Sequence, residues 1–367
     1  MKLFNSGSRL FWTLVVFLAI NIAIFSSGFY AKFLTFSSMQ GFAHHIVSSS
    51  KDVPINKDES IFIIGDSRIT EGFNAGDANL LMKNSKIHYL NAGMGGASLR
   101  IWYYLLKEID PDANRFNYIV VTLPSFRNSP PFDAGYEGRM LDADFLAPLI
   151  SSNDFLNFID HQTGYLNKFI LLNRMIIASI NYSNDFFDLI LHPLNRIDGY
   201  KWRKKVSLNY GDEYKGNTEN MAGLSIDKFG NILSYPLRLN NIQKEQITKY
   251  LSSIKNTQSN EIVKAVDYKN YWLRKILDRY KNTSTKVVIM RLPSTPLPVY
   301  LSDYSYPLLS VIEENRNAKN PIIVPEDSFL DLEALDNFWD MQHLNAVGRS
   351  RLTTAITQKI SRLGADK

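Results

Sequence analysis

The chain has 367 residues, 45% of them hydrophobic, and a formal net charge of +5 from 41 basic and 36 acidic side chains. This length and apolar content suffice for a sizeable core, which excludes a disordered chain and favours one large domain or two smaller ones. The small positive charge gives no indication of a nucleic-acid partner, and the absence of cysteine excludes disulfides, thiolate zinc sites and a cysteine nucleophile.

The first predicted element is a membrane segment at the N-terminus. The run Leu10–Phe25 contains sixteen residues without one charged side chain. Extended to Tyr30, it is long enough to cross a hydrocarbon core of about 30 Å at about 1.5 Å per residue. Lys2 and Arg9 precede it, which favours a cytoplasmic N-terminus and places everything after Tyr30 beyond the membrane. A cleaved signal peptide is the alternative, but no Ala-x-Ala pattern follows the run, so we predict an uncleaved signal-anchor.

Residues 31–58 are mixed and polar, and we predict that they form a connector to a globular domain spanning 59–367. Five short apolar runs in this domain predict β-strands, and most of the runs are continuous rather than alternating. Continuous runs are typical of parallel strands that are covered on both faces. The predicted strands are Ile61–Gly65, Ile87–Asn91, Tyr118–Leu123, Lys286–Met290 and Pro321–Val324.

Helices are predicted between and after these strands. Apolar residues recur at spacings of three and four in Ser98–Ile109, and Ala346–Leu363 is a second predicted helix. The alternation of strands and helices favours a three-layer α/β domain with right-handed crossovers. In such domains the reactive groups gather beyond the carboxyl ends of the strands.

The alternation stops between about residues 126 and 283, which predicts a large, mainly helical insertion. Phe169–Ile180 is apolar but too short to cross a membrane, so we predict an amphipathic helix that packs on the core or serves as a lid. The basic run Lys201–Lys205 is predicted to be a solvated face or to meet an anionic lipid or polymer. The many aromatic residues of the insertion predict either a core or a sugar-binding surface.

Two motifs follow the first two predicted strands. The first is Gly65-Asp66-Ser67, where glycine permits a tight turn and Ser67 is either an ordinary turn residue or a nucleophile at the strand end. The second is NAGMGGAS, residues 91–98, a glycine-rich turn that leads into a helix. Such a turn is either a plain connection or a source of backbone N–H donors for the oxyanion of a tetrahedral intermediate.

A third motif precedes the last predicted helix. Asp340 and His343 stand three residues apart in WDMQHLNAVGRSRL, residues 339–352. A carboxylate at this offset can accept a hydrogen bond from one imidazole nitrogen and leave the other to take a proton from a hydroxyl. The alternative is an ordinary surface pair.

The other histidines do not indicate a metal site. They are scattered along the chain without ligand spacing, so we predict no metal; they are His44, His45, His88, His161 and His192.

The three motifs and their order resemble the SGNH, or GDSL-type, hydrolase superfamily. The resemblance covers residues 61–123 and roughly 286–363, and it implies a flavodoxin-like α/β/α sandwich with a five-stranded parallel sheet. By motif it implies that Ser67 is the nucleophile, that His343 is the general base and that Asp340 orients the histidine. It also implies that the backbone N–H groups of Ser67 and Gly96 form most of the oxyanion hole.

The chain departs from the family pattern in two places. Arg68 stands where the GDSL spelling has leucine, next to the supporting turn residue Asp66, and it either holds an anionic group or faces solvent. The third block of the family, Gly-x-Asn-Asp, is replaced by TLPSFRNSPP. The third oxyanion donor is therefore assigned to Asn128, with Arg127 as the second candidate.

The resemblance implies acyl transfer through an acyl-enzyme and requires no cofactor. A membrane anchor beside an SGNH-like domain is similar to bacterial proteins that acetylate or deacetylate exported polysaccharides, including periplasmic partners of membrane-bound O-acyltransferases. We therefore predict a serine esterase or O-acetyltransferase that acts on acetyl esters of an envelope polysaccharide, anchored in the inner membrane by residues 10–30, with its C-terminal domain in the periplasm or outside the cell. The alternatives are a lipid or phospholipid esterase and a membrane-tethered assembly or binding protein with weak catalysis.

Overall fold

The computed structural model describes residues 2–35, 38–53, 56–83, 85–127, 141–146, 149–162, 164–198, 216–227, 231–236, 239–256, 259–295 and 308–365. The chain divides into two compact units. The first unit comprises Met1–Asp52 and Glu137–Lys205, and the second comprises Val53–Tyr136 and Val206–Lys367.

The secondary structure is numbered along the chain. The α-helices are α1 (Lys2–Asn21), α2 (Met39–Asp52), α3 (Ser67–Gly72), α4 (Ala75–Leu81), α5 (Leu99–Ile109), α6 (Leu141–Leu146), α7 (Phe155–Asp160), α8 (Tyr165–Ile176), α9 (Ala178–Leu191), α10 (Asn241–Asn256), α11 (Ser259–Tyr280), α12 (Ser310–Glu314) and α13 (Ala346–Ala365). The strands are β1 (Ser60–Ile64), β2 (His88–Asn91), β3 (Tyr118–Leu123), β4 (Ser225–Ile226), β5 (Ile232–Ser234), β6 (Lys286–Arg291) and β7 (Ile322–Ile323).

The first unit contains α1, which continues into a π-helical turn at Ile22–Ser26. Among the described residues, Gly7–Ser26 is the one helical stretch long and apolar enough to cross a membrane, with a mean hydropathy of 1.9. It is almost entirely unburied and includes the predicted run Leu10–Phe25. The chain therefore has an apolar N-terminal helix of membrane-spanning length where the sequence predicts one.

The predicted connector and the predicted insertion do not coincide with the two compact units. Residues 31–58 contain α2, whose Ala43, Ile46 and Val47 are buried at the three and four spacing of a helix. In the predicted insertion, α6 to α9 belong to the first unit, whereas β4, β5, α10 and α11 belong to the second. Residues 31–58 are polar overall, so their composition did not reveal the regularly spaced apolar residues that α2 buries in the first unit.

The second unit is built on a five-stranded sheet with the order β2-β1-β3-β6-β7, and all four pairings in it are parallel. β4 and β5 form a separate antiparallel pair. The sheet confirms the predicted α/β class and the five predicted strands; β3 has the predicted bounds, and no bound of the other four strands shifts by more than one residue. β1 and β3 are buried along their whole length, which explains their continuous apolar sequence.

The parallel pairing brings the ends of three strands to one edge of the sheet. Ile63 pairs with Asn91, the last residue of β2, and Ile64 pairs with Val121 of β3. The Gly-Asp-Ser turn after β1 and the glycine-rich turn after β2 therefore leave the sheet side by side. This edge is the one at which α/β proteins carry their ligand sites.

Candidate active site

Ser67 lies in the turn between β1 and α3, where it is the first helical residue. Asp66 caps the helix, because its Oδ1 accepts a hydrogen bond of 2.9 Å from the Arg68 backbone N–H. A Cβ placed on Gly65 would lie 2.0 Å from the Thr122 Oγ1. Only glycine fits this close approach to β3, and the tight turn sets Ser67 immediately beyond the end of β1.

The buried amide of Asn91 ties the end of β2 to α3. Its Nδ2 donates to the carbonyl oxygens of Ile69, at 3.0 Å, and Phe73, at 2.9 Å. Its Oδ1 accepts from the Gly93 N–H at 2.9 Å. Asn91 therefore fixes the glycine-rich turn relative to the helix that carries Ser67.

The glycine-rich turn passes directly over α3. A Cβ on Gly93 would lie 2.6 Å from the Thr70 backbone nitrogen, and a Cβ on Gly95 would lie 3.8 Å from the Ser67 Cβ. Gly96, the predicted oxyanion-hole residue, follows with a positive φ of 76° and is exposed. The structure thus brings the turn to Ser67, with Gly95 as the glycine that faces the serine side chain.

His343 and Asp340 complete a hydrogen-bonded chain with Ser67. The Ser67 Oγ lies 2.7 Å from the His343 Nε2, and the His343 Nδ1 lies 2.7 Å from the Asp340 Oδ2. The Asp340 Oδ1 accepts the backbone N–H groups of Gln342, at 2.7 Å, and His343, at 2.6 Å. With the carboxylate accepting from Nδ1–H, the Nε2 is free to accept the serine hydroxyl proton.

The loop that carries His343 is supported by residues that follow the first unit in the chain. The Met221 N–H donates to the Phe338 carbonyl at 2.9 Å, and the Ala346 N–H donates to the Asn217 carbonyl at 2.8 Å. The Asn345 side chain donates to the Glu219 carbonyl at 3.2 Å. Residues 217–221, which lie within the predicted insertion, therefore help to fix the histidine loop.

Trp339 and Glu71 flank the histidine and were not predicted from the sequence. The Trp339 ring stacks on the His343 ring with centroids 5.8 Å apart and an interplanar angle of 21°. The Trp339 Nε1–H donates to the Glu71 Oε2 at 3.3 Å. Two sequence signals point to these residues: Glu71 stands one helical turn after Ser67, and Trp339 precedes Asp340.

Arg68 forms an ion pair with Asp66 rather than facing solvent. Its Nε and Nη2 atoms donate to the Asp66 Oδ2 at 3.0 and 2.7 Å, and both side chains are mostly buried. Burial alone would raise the pKa of Asp66, but the Arg68 charge and its hydrogen bonds outweigh burial and hold the pKa below its ordinary value. Asp66 is therefore a charged structural carboxylate beside the serine.

The pKa of His343 is raised above its ordinary value. Burial alone would lower it, but the hydrogen bond and charge of Asp340, with the charges of Glu71 and Asp66, favour the protonated ring and outweigh burial. The imidazole is thus a stronger base than an isolated histidine. A stronger base is suited to receiving the proton of a serine hydroxyl.

This shift predicts the pH dependence of serine reactivity. Only the neutral ring accepts the Ser67 proton, so labelling of Ser67 by a fluorophosphonate should rise with pH as His343 loses its proton. Because the pKa of His343 is raised, the midpoint should lie above the ordinary histidine value of about 6.5. The check is the labelling rate across pH; a midpoint below that value contradicts this electrostatic arrangement.

Two cavities adjoin the chain of hydrogen bonds. The larger, about 310 Å³, lies beside His343 and is named here the histidine-side cavity; its lining includes Trp339, Tyr250, Gln243, Gln246 and Gln342. A smaller one, about 50 Å³, is lined by residues on either side of Ser67 and by the glycine-rich turn and β3, including Gly65, Asp66, Ala97, Ser98 and Thr122. Polar amides and aromatic rings thus contribute to the larger space, whereas the smaller one is lined by small residues together with large side chains such as Trp102 and Tyr268.

The described residues do not identify a third oxyanion donor. Asn128 lies outside the described residues. The side chain of Arg127, the second candidate, forms an ion pair of 3.8 Å with Glu326.

The remaining sequence predictions concern metals and the basic run. Within the described part of the chain, no cluster of three or more His, Asp or Glu side chains is arranged to hold a metal ion. The run Lys201–Lys205 lies outside the described residues.

Comparison of the chain with models of known protein families gave no match, and comparison with curated proteins gave no significant match.

Proposed function

We propose that this protein is a serine-dependent esterase or O-acyltransferase of the SGNH type. The observation that carries the proposal is the hydrogen-bonded chain Ser67–His343–Asp340, with both links at 2.7 Å. The proposed domain is a three-layer α/β/α sandwich. The strand order β2-β1-β3-β6-β7 supports this, because it matches the flavodoxin-like order in which the first strand lies next to both the second and the third.

The proposed reaction has two steps. The Ser67 Oγ attacks the ester carbonyl carbon while the His343 Nε2 takes the hydroxyl proton. The C–O bond to the alcohol then breaks, and the protonated His343 returns the proton to the leaving oxygen. In the second step a water or a substrate hydroxyl attacks the acyl-Ser67 ester, again giving its proton to His343, and Ser67 is regenerated as a hydroxyl.

Backbone N–H groups are proposed to stabilise the oxyanion in both steps. The Ser67 N–H is one proposed donor, and the turn at residues 91–98, with Gly96 as the predicted donor, supplies the second. Removal of one oxyanion donor typically lowers kcat by about 10²–10³-fold. A Cβ built on Gly95 would lie 3.8 Å from the Ser67 Cβ, and this proximity supports placing the turn close to the reacting carbonyl.

The proposed substrate is an acetyl ester of an envelope polysaccharide. The amides and aromatic rings of the histidine-side cavity suit sugar hydroxyls and sugar faces, and the cavity opens beside the base that would activate an acceptor hydroxyl. The small cavity near Ser67 suits a short acyl group. The apolar N-terminal helix supports an inner-membrane location with the second unit in the periplasm or outside the cell, and a membrane-bound O-acyltransferase is the proposed partner.

The deciding experiment compares acyl groups with the purified full-length protein. Acetyl esters, both of a small chromogenic alcohol and of an O-acetylated polysaccharide, should be cleaved or transferred much faster than long-chain acyl esters. Preference for long acyl chains supports the lipid-esterase alternative instead. Absence of both reactions and of fluorophosphonate labelling, with Ser67 intact, overturns the proposal and favours an assembly or binding protein.

A further inference from the structure

The helices α8 and α9 of the first unit carry an unusual surface of exposed large apolar side chains. Phe169 is 62% exposed, Phe187 is 60% exposed and Leu191 is 68% exposed. We define the apolar face as the exposed residues Tyr165, Leu166, Phe169, Ile176, Ile180, Phe187, Ile190 and Leu191. So much aromatic and aliphatic area on one surface of a protein marks an interaction site.

The face is set by helical periodicity. In α9 the exposed residues Ile180, Phe187 and Leu191 recur at spacings of seven and four, and the buried residues Tyr182 and Asp185 lie on the opposite side. One side of α9 therefore packs into the first unit, and the other side projects apolar groups outward.

Some charged side chains packed beside α8 and α9 are buried or half-buried and paired, whereas others in the unit, such as Asp160, are exposed. Arg196, which is 8% exposed, forms ion pairs with Asp185 at 2.6 Å and with Asp188 at 2.9 Å. The Tyr30 hydroxyl donates to the Asp185 Oδ1 at 2.8 Å. Arg174 likewise forms an ion pair with Asp144. Ion pairs drawn inward beside an outward-facing apolar surface are the arrangement expected where a protein surface meets lipid.

The helix α9 contacts the end of the membrane-length helix and the turn that follows it. The Asn21 side chain at the end of α1 accepts the Ser179 N–H at 2.9 Å, at the junction of α8 and α9. The Phe25 ring stacks on the Tyr182 ring with centroids 5.7 Å apart. The helices α8 and α9 are therefore attached where α1 ends, which is the depth at which a membrane span reaches the lipid headgroups.

The lengths of the two helices exclude a second span and fit an interfacial position. α8 has 12 residues and α9 has 14, so they extend about 18 and 21 Å at about 1.5 Å per residue, short of the hydrocarbon core of about 30 Å. We propose that the apolar face of α8 and α9 inserts into the lipid interface beside α1, on the side opposite the N-terminus. The first unit then lies in the membrane interface and is not a connector surrounded by water.

The cysteine-free chain allows a direct test with single cysteines carrying an environment-sensitive fluorophore. The full-length protein is reconstituted in phosphatidylethanolamine–phosphatidylglycerol vesicles containing brominated acyl chains, which quench fluorophores in contact with them. The tested variants are Phe169→Cys, Phe187→Cys and Leu191→Cys. Phe17→Cys in α1 is the positive control, and Leu233→Cys in β5, which is 68% exposed like Leu191, is the matched control outside the unit.

We expect brominated lipid to quench the three labels on the apolar face as strongly as the label at position 17, and to leave the label at position 233 unchanged. Aqueous iodide should show the opposite pattern. If the three labels respond to iodide as the label at position 233 does, the proposal is overturned, and a partner protein becomes the occupant to seek. Three separate positions keep the test decisive if one variant fails to fold, and the result is independent of the proposed esterase activity.

Discussion

Replacement of Ser67 by alanine should abolish covalent labelling by a fluorophosphonate and reduce ester cleavage or transfer by about 10⁴-fold or more. The substitution removes the one oxygen that lies 2.7 Å from the His343 Nε2. Loss of the serine or histidine of such a unit costs on the order of 10⁶ in kcat in a well-characterised serine protease. The measurement is the gel fluorescence of the labelled protein together with the initial rate on an acetyl ester.

His343→Ala should cause a similar loss, because the hydroxyl then has no base. Ser85→Ala, which removes a half-buried serine hydroxyl from a turn outside the site, is the matched control and should behave like the unchanged protein in both assays. Undiminished labelling of Ser67→Ala would assign the reactivity to another residue. Normal ester turnover by His343→Ala would show that the imidazole does not act as the base.

Asp340→Asn should lower activity by about 10⁴-fold while the fold is retained. The carboxylate accepts from the His343 Nδ1 at 2.7 Å, whereas an amide that presents its N–H there favours the tautomer with the proton on Nε2. That tautomer is unable to accept the serine proton. Loss of the negative charge should also lower the pKa of His343 and move the midpoint of the pH profile downward.

The readouts of this second prediction are the rate on an acetyl ester and its pH dependence. Asp336→Asn changes an exposed carboxylate in the preceding turn and should leave both unaltered. The double variant Ser67→Ala with Asp340→Asn should lose no more activity than Ser67→Ala alone, because the residues act as a unit. An unshifted pH midpoint in Asp340→Asn would limit Asp340 to a structural role.

The parallel sheet was predictable because its strands are short, continuous apolar runs. β1 and β3 are buried on both faces, so nothing polar interrupts them. The strand ends were less well defined, since Ser60 and Arg291 belong to strands although their side chains are polar. Periodicity reports burial, whereas backbone pairing decides where a strand begins and ends.

The juxtaposition of Ser67 with His343 followed from the order of the motifs, but the surroundings of the histidine did not. Trp339 stacks on the ring and donates to Glu71 of α3, and only the folded chain brings these two residues together. The pairing of Arg68 with its near neighbour Asp66 likewise depends on a side-chain conformation. Spacing in the sequence predicts which loops meet, and side-chain packing decides which atoms touch.

The first unit was predicted only in part for a related reason. Its N-terminal helix is a long uninterrupted apolar run, whereas Arg174 of α8 pairs with Asp144 of α6 and Asp185 of α9 pairs with Arg196, which follows α9. A pattern of helical spacing identifies two faces of a helix but does not say which of them is turned inward. The composition of residues 31–58 concealed α2 in the same way.

The hydrogen bonds between residues 217–221 and the loop of His343 determine how far the second unit can be shortened without loosening the site. Joining residue 126 directly to residue 283 would keep the five parallel strands and all three triad side chains. It would also delete the backbone donor of Met221 and the acceptor carbonyls of Asn217 and Glu219. A shortened protein should therefore retain residues 217–221, and the deletion should end near residue 206, where the second unit resumes.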